Sequence, residues 1–420
     1  MSGNGRAADE DATDGLADRG RAADGGRVVT RVGSGAVAPT GGVANLDPAS
    51  HVAGWREVRI THLRPAEVRD AMAAAPIAWV PLGALEYHAE HLPFGTDGFT
   101  ATSVVERAAQ IAGGIVLPWS ALTMGTLALP WSLRYDKDLV ERAVRATIEQ
   151  AAAFGARTVI VHTGHGPLDL SHLLKRVCAD AEASAPGGPD FRAYGVCYLE
   201  LNAANRVGLG TDWPAAIDHG AIVETSWGLA VAPDLVRMER LPEDPDGEML
   251  AVYGPNPRTR SSAAMGGAQV DACARLLAER ATRMLAGDHI DQLADLRGFV
   301  RDYWPEPLEL GGRAGAAGEG ALTLRNPGPV SRYLTGLAVG IDGETVDAAG
   351  VTLINPTVGE TGIPFGATTL GPEHGFYVRR NQIAEVRLPI RLSAGPHQVE
   401  LAMGLGGVAT TTITAALDLA

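Results

Sequence analysis

Three short segments of this chain gather side chains able to hold a divalent cation. The first, Pro81 to Asp97 (PLGALEYHAEHLPFGTD), directly follows a strand pattern, so Glu86 and His88, two residues apart, project to one face of an extended backbone. Asp97 closes that segment at the start of a helical pattern, where the helix dipole favours a carboxylate. The second, Thr163 to Pro167 (TGHGP), sets His165 between two glycines at the end of a TVIVHT strand. Open sheets bind ligands at that carboxyl edge, and the glycines let backbone come close. The third, Asp218 to Trp227 (DHGAIVETSW), carries His219 and Glu224, the latter near a helix start. Mixed His, Glu and Asp donors suit zinc, manganese or iron, whereas magnesium and calcium prefer oxygen alone. Taken singly, each segment also reads as a solvated strand or helix end, and a lone E-x-H is a weak signal. Together they point to a metal site.

Other histidines carry a plainer expectation. His162 lies inside the apolar strand pattern and is expected to be a hydrogen-bonded core residue, and His62, His91, His172, His289, His374 and His397 are assigned structural roles. Trp119, Trp131 and Trp227 are expected in the core or a pocket wall, where one ring could stack on a flat substrate.

The elements that must position these groups alternate in type. Ile77 to Gly83, Ile115 to Leu117, Thr158 to Thr163 and Ala193 to Leu199 read as short buried strands. Asp97 to Gly113, Lys137 to Phe154, Ser171 to Ala183, Glu224 to Ala232 and Ala268 to Leu285 read as helices, the second closed by Gly155. Alternation of this kind predicts an α/β domain with a parallel or mixed sheet covered by helices on both faces. From about residue 311 the texture changes to short alternating runs, such as Ala321 to Leu324, Ala384 to Leu392 and Gln398 to Leu401, broken by NPGP, DGE, GIP and SAGPH turns. That pattern predicts an all-β sandwich. The expected organisation is a disordered segment over 1–50, a catalytic domain over 51–290, a linker over 291–310 and the β-sandwich over 311–420.

Composition bounds the function. With 420 residues, 46% apolar and 20% charged, the chain can bury ample core. A formal charge of −14 and the lack of any basic run argue against nucleic acid as a partner. Only 3 cysteines, with no CxxC, suggest neither a disulfide scaffold nor a thiolate zinc site and fit a reducing, cytoplasmic location. Neither a long apolar run nor a secretory h-region is present, so no membrane association is expected.

The ordered motifs G-x-x-E-x-H-x-x-H-L-P-x-x-T-D (Gly83, Glu86, His88, His91, Leu92, Pro93, Thr96, Asp97), G-H-G (Gly164 to Gly166) and H-G-x-x-x-E-T-S (His219, Gly220, Glu224, Thr225, Ser226) resemble the creatininase, or creatinine amidohydrolase, family over about residues 55 to 285. The resemblance implies a creatininase-like α/β domain, two divalent metal ions, commonly zinc or manganese, and a homo-oligomer, frequently a hexamer. Matched residue by residue, Glu86 and His165 would hold one metal and His88 the other, Asp97 would bridge, and Glu224 would complete the second site. His219 occupies the position of a general acid or base. The chain also departs from the family. Thr163, Pro167 and Leu168 replace residues of the usual Asn-Gly-His-Gly-Gly-Asn run, and Ile222 replaces a glutamate that many members carry. Position 167 supplies a ligand carboxylate in creatininase itself, so here Glu224 would carry the second metal alone or Asp169 would help, and creatinine is not the expected substrate.

The ending LPIRLSAGPHQVELAMGLGG is weakly similar to the β subunit of C-glycoside deglycosidases, with an oligomerisation or lid role as the simpler reading. The leading expectation is a metal-dependent hydrolase opening a cyclic amide or related C–N bond of a small polar metabolite. One alternative is C–C cleavage of a cyclic ketone such as a keto-inositol or sugar derivative. The other is a non-catalytic structural or binding protein.

Overall fold

Four strands, β1 (Ile77–Leu82), β2 (Ile115–Val116), β3 (Thr158–Thr163) and β4 (Arg192–Cys197), run parallel in the order β2-β1-β3-β4. Every residue of β1 and β3 is buried, as the uninterrupted apolar runs require of strands covered on both faces. The computed structural model describes residues 55–419 except 128, 210–217, 245–248, 255, 304–307, 315–319, 328–331, 356–364 and 379–382; the segment 1–50 lies outside them.

Eight helices are described: α1 (Pro65–Ala74), α2 (Thr96–Ala112), α3 (Lys137–Ala153), α4 (Leu168–Ser184), α5 (Tyr198–Leu209), α6 (Ile222–Val231), α7 (Ala263–Leu285) and α8 (Ala294–Tyr303). Side chains alternate across the sheet and divide the core in two. Ile77, Trp79, Ile160, Tyr194 and Val196 pack with α2 and α5 to α8, whereas Ala78, Val80, Val159, Val161 and Ala193 pack with α3 and α4. Among the described residues, no helix is long and apolar enough to cross a membrane.

Three differences from the sequence expectation have physical causes. The fourth strand stops at Cys197, and Tyr198 opens a helix, α5, because the Glu200 side chain accepts the Cys197 N–H and turns the chain. A fully apolar run cannot tell a buried strand from a buried helix. The last long helix starts at Ala263 rather than Ala268, since Ser262 caps it by accepting from Met265 N. The stretch expected as a linker holds α8, whose Leu296, Phe299 and Val300 join the core.

Among the described residues the C-terminal region shows ten strands: β5 (Glu309–Ala314), β6 (Gly320–Arg325), β7 (Arg332–Ile341), β8 (Glu344–Thr345), β9 (Thr352–Ile354), β10 (Phe365–Gly366), β11 (Phe376–Val378), β12 (Ile383–Arg387), β13 (Gly395–Leu405) and β14 (Ala409–Leu419). They form two antiparallel sheets, β10-β9-β12-β6-β5 and β11-β7-β13-β14, the second with β8 paired to β7. Leu322, Leu353 and Val386 from one sheet meet Leu334, Val339, Val399 and Leu401 from the other, the apolar interior of a sandwich.

Candidate metal centre

The carboxyl ends of β1 and β3 press against the first turn of α2. A Cβ on Gly83 would lie 2.3 Å from Gly98 N, and one on Gly164 would lie 2.1 Å from Asp97 O, so only glycine permits this approach. Asp97 is thereby lodged between the segment that follows β1 and the segment that follows β3. Two groups of donors result, Glu86–Asp97–His165 and His88–Asp97–Glu224, each with its ligand atoms within 4.8 Å of one another, and Asp97 belongs to both. A third such group, Glu86, His88 and His219, lies on the more exposed side.

Hydrogen bonding around the two inner histidines fixes which nitrogen faces the carboxylates. His88 Nδ1 sits 3.0 Å from the Glu86 backbone carbonyl, which can only accept, so Nδ1 carries the proton. Its Nε2 then faces Asp97 Oδ1 at 3.0 Å and Glu224 Oε2 at 3.4 Å. His165 repeats the device in the other tautomer. Nε2 donates to Met124 O at 3.1 Å, and Nδ1 faces Glu86 Oε2 and Asp97 Oδ2, both at 3.1 Å. Carbonyls that orient imidazoles in this way are the usual outer partners of metal-bound histidines.

Ring nitrogens and carboxylate oxygens at such distances in a dry interior require a positive charge between them, a proton on each ring or a metal ion in its place. Glu86 Oε2 and His88 Nε2 are accordingly buried without a hydrogen-bond partner. Ionisation expresses the same demand. Burial works against charging His88, yet Asp97 and Glu224 raise it well above the usual histidine value. Burial likewise opposes charge on His165, which Glu86 and Asp97 push up to about 10. Glu86 and Asp97 are buried, which favours their neutral forms, but His165 and His88 respectively draw them below the ordinary carboxylate range. A donor set of two imidazoles and three carboxylates around a shared aspartate fits zinc, manganese or iron.

Each carboxylate is also held from behind. Glu86 Oε1 accepts a short hydrogen bond from Leu127 N, Asp97 Oδ2 accepts from Ala84 N at 3.3 Å, and Glu224 accepts from Gly220 N at 2.6 Å and the Tyr198 hydroxyl at 3.1 Å. Asp218 fixes the helix that carries Glu224, for its carboxylate accepts from Val223 N and Glu224 N in the first turn of α6. Burial, helped by the Glu224 charge, raises Asp218 well above the usual carboxylate value.

All six residues singled out from sequence, Glu86, His88, Asp97, His165, His219 and Glu224, lie together. His219 is the least buried of them; its Nε2 donates to Tyr87 O at 2.9 Å, and its Nδ1 lies 3.9 Å from Glu224 Oε2. Its ring centre is 4.3 Å from that of His88. Asp169 does not join the donor groups; it accepts from Leu170 N and from the Tyr377 hydroxyl instead. His162 is the expected core histidine, bonded to Val196 O, and buried His91 pairs with Thr225 Oγ1 at 2.8 Å.

Trp131 departs from its expected place in the core or a pocket wall. It sits 78% exposed at a turn with φ of 64°, edge-on to Phe94. An apolar side chain in a Pro-containing loop carries no periodicity that would reveal its exposure. Sequence reasoning also missed Tyr198, the role of Asp218, and the backbone groups of Met124 and Leu127. Asp218 offered a signal, an acidic residue just ahead of a helix; main-chain groups offer none.

Comparison with known proteins gives a consistent set of similarities. A family model, Creatininase, described as creatinine amidohydrolase, matches residues 61–286. A creatinine amidohydrolase of Pseudomonas putida is 27% identical over 184 residues, 40% of this chain and 69% of that protein. Among solved structures, a creatinine amidohydrolase (creatininase) aligns at 23% identity and a TM-score of 0.45 over 55% of this chain and 98% of the other. A putative creatinine amidohydrolase from Bacteroides fragilis aligns at 18% identity and a TM-score of 0.43 over 56% of this chain and 99% of that one.

Proposed function

The chain belongs to the creatininase family, and from that premise we propose that it opens a cyclic amide or related C–N bond of a small polar metabolite at a dinuclear metal centre. The coarser statement, a metal-dependent amidohydrolase whose substrate is open, follows from membership itself. The observation that carries the finer one is the pair of donor groups sharing Asp97, with two imidazole nitrogens turned towards carboxylates. Glu86 and His165 would hold one cation, His88 and Glu224 the other, and Asp97 would bridge them.

Divalent cations bound there supply Lewis-acid polarisation of the scissile carbonyl and acidification of water. The remaining work falls to the chain. Glu86, Asp97 and Glu224, each pinned by a backbone N–H, keep the donor geometry fixed. Because Tyr87 O takes the Nε2 proton of His219, its Nδ1 is free to accept a proton from the attacking water and return it to the departing nitrogen. Its partial exposure suits a group that must meet substrate. Pro167, which cannot ligate, and Asp169, engaged elsewhere, support a substrate other than creatinine.

The test is metal content per chain in protein purified without chelator, beside Asp97→Ala, with product analysis on cyclic amides and cyclic ketones. Near two metals, lost in the variant, with a single ring-opened product that carries both a new amine and a new carboxylate, is the expected result. A ring-opened acid formed from a cyclic ketone, with no new amine group, would move the assignment to C–C cleavage. A wild-type chain that metal supplementation cannot load would overturn the centre.

A further inference from the structure

The C-terminal sandwich touches the segment that carries His165. Tyr377, on β11, accepts a hydrogen bond from Leu168 N at 3.0 Å and donates to Asp169 Oδ1 at 3.3 Å, so its hydroxyl closes the first turn of α4. Pro167, just ahead of that turn, packs on Gly125. A Cβ on Gly125 would lie 2.7 Å from the Pro167 ring and 3.3 Å from Asp169 Oδ1. Gly125 follows Met124, whose carbonyl takes the Nε2 proton of His165 and so decides which nitrogen faces Glu86 and Asp97. The path from the sandwich to the candidate ligand is therefore short and packed throughout.

The tyrosine is itself braced. Its ring lies 4.5 Å from that of Tyr333 on β7, and the Tyr333 hydroxyl donates to Pro372 O and accepts from Gly375 N, fixing the turn that leads into β11. A second contact holds the same face of α4, for His172 Nε2 donates to Gly406 O between β13 and β14. The family model ends at residue 286, so this support comes from outside the part of the chain that the family shares.

We propose that Tyr377 is a positioning residue of the metal centre, through which the β-sandwich holds the His165 segment in register with Glu86 and Asp97. The sandwich thus takes the place of support from the residue at 167, where proline offers neither a ligand nor a donor. This inference rests on the metal-centre assignment above.

The experiment titrates metal-free full-length protein with Zn2+ against a chromophoric chelator. Tyr377→Phe keeps the ring and removes the hydroxyl. It is expected to weaken one of the two binding steps about 10-fold, the lower end for loss of an outer partner of a ligand, and to leave the other step unchanged. Leu353→Ala, in the other sheet, serves as a control that lowers stability without touching the path; it is expected to leave both steps unchanged. Should Tyr377→Phe fail to fold, Tyr333→Phe loosens the turn before β11 and is expected to weaken the same step. Wild-type affinity in the folded tyrosine variant, or equal weakening in Leu353→Ala, would overturn the role of Tyr377 while leaving the centre intact. A wild-type protein that binds no Zn2+ would instead remove the centre on which the inference rests.

Discussion

The two regions of this molecule differ in how they arrange buried polarity. In the α/β region the ends of β1 and β3 bury Glu86, His88, Asp97 and His165 to within a few per cent of complete exclusion from solvent, with ring nitrogens facing carboxylates. In the sandwich the interior is made of Leu, Val, Ile, Ala and Met, with buried Asn326 donating to Val378 O and Arg332 also buried, while ionic pairs such as Arg325–Glu309 and Arg387–Glu385 lie on the outer surface. Burying charge lowers stability unless a partner compensates. A region that gathers several ionisable donors at one end of its sheet is organised for chemistry, and a region whose buried polar groups form no such donor group among the described residues is organised for packing and contact.

Experiments can sharpen or break this contrast, beginning with the largest effect. His219→Ala should retain its metal content and lose turnover by about 100-fold or more, the range for a general acid or base. Loss of metal in that variant, measured by mass spectrometry, would place His219 among the ligands, where its proximity to Glu86 and His88 also permits it. Leu353→Ala, fully buried in the sandwich, should cost about 2–5 kcal/mol in urea unfolding with metal content preserved. If it emptied the centre as thoroughly as a ligand substitution, the two regions would not be functionally separable.

A smaller effect belongs to the helix that carries Glu224. Asp218→Ala removes the acceptor for the first-turn amides of α6 and should cost about 1 kcal/mol, with a weaker metal step on the His88 side. The smallest lies at the contact between the regions, where Glu373 pairs with Lys137 and Arg176. Burial opposes its charge, but hydrogen bonds from Arg176 and Lys137 hold Glu373 below its ordinary value of 4.5. A lowered carboxylate contributes stability above the unfolded value and loses it as pH falls through the folded one. Glu373→Gln should therefore cost at most about 1 kcal/mol at neutral pH, and its unfolding midpoint should converge on that of the parent as pH drops below 4.5. A difference that persists in acid would assign the effect to packing.

Much of the architecture was legible because periodicity reports burial. The strands over Ile77–Leu82 and Thr158–Thr163 and the helix from Lys137 follow from apolar runs and a 3.6-residue stripe. The helix opening at Tyr198 did not, since its sequence is apolar enough to continue a buried strand and only Glu200 folding back on Cys197 N turns the chain. Within the site, residue types named the six candidates, because few structural needs call for Glu, His and Asp at the ends of buried strands.

Sequence by itself therefore determined the chemistry available: which donors exist, that they follow strand ends, and which family they match. Tertiary structure decided their arrangement. That Asp97 belongs to both donor groups depends on Gly83 and Gly164 letting two strand ends close on one helix turn. Which nitrogen of His88 and His165 faces the carboxylates depends on the carbonyls of Glu86 and Met124. The contact of Tyr377 with the His165 segment spans 209 residues of chain to Leu168. Side-chain type and local periodicity are written in consecutive residues, whereas hydrogen bonds to main-chain groups and contacts across long loops exist only once packing has brought the partners together.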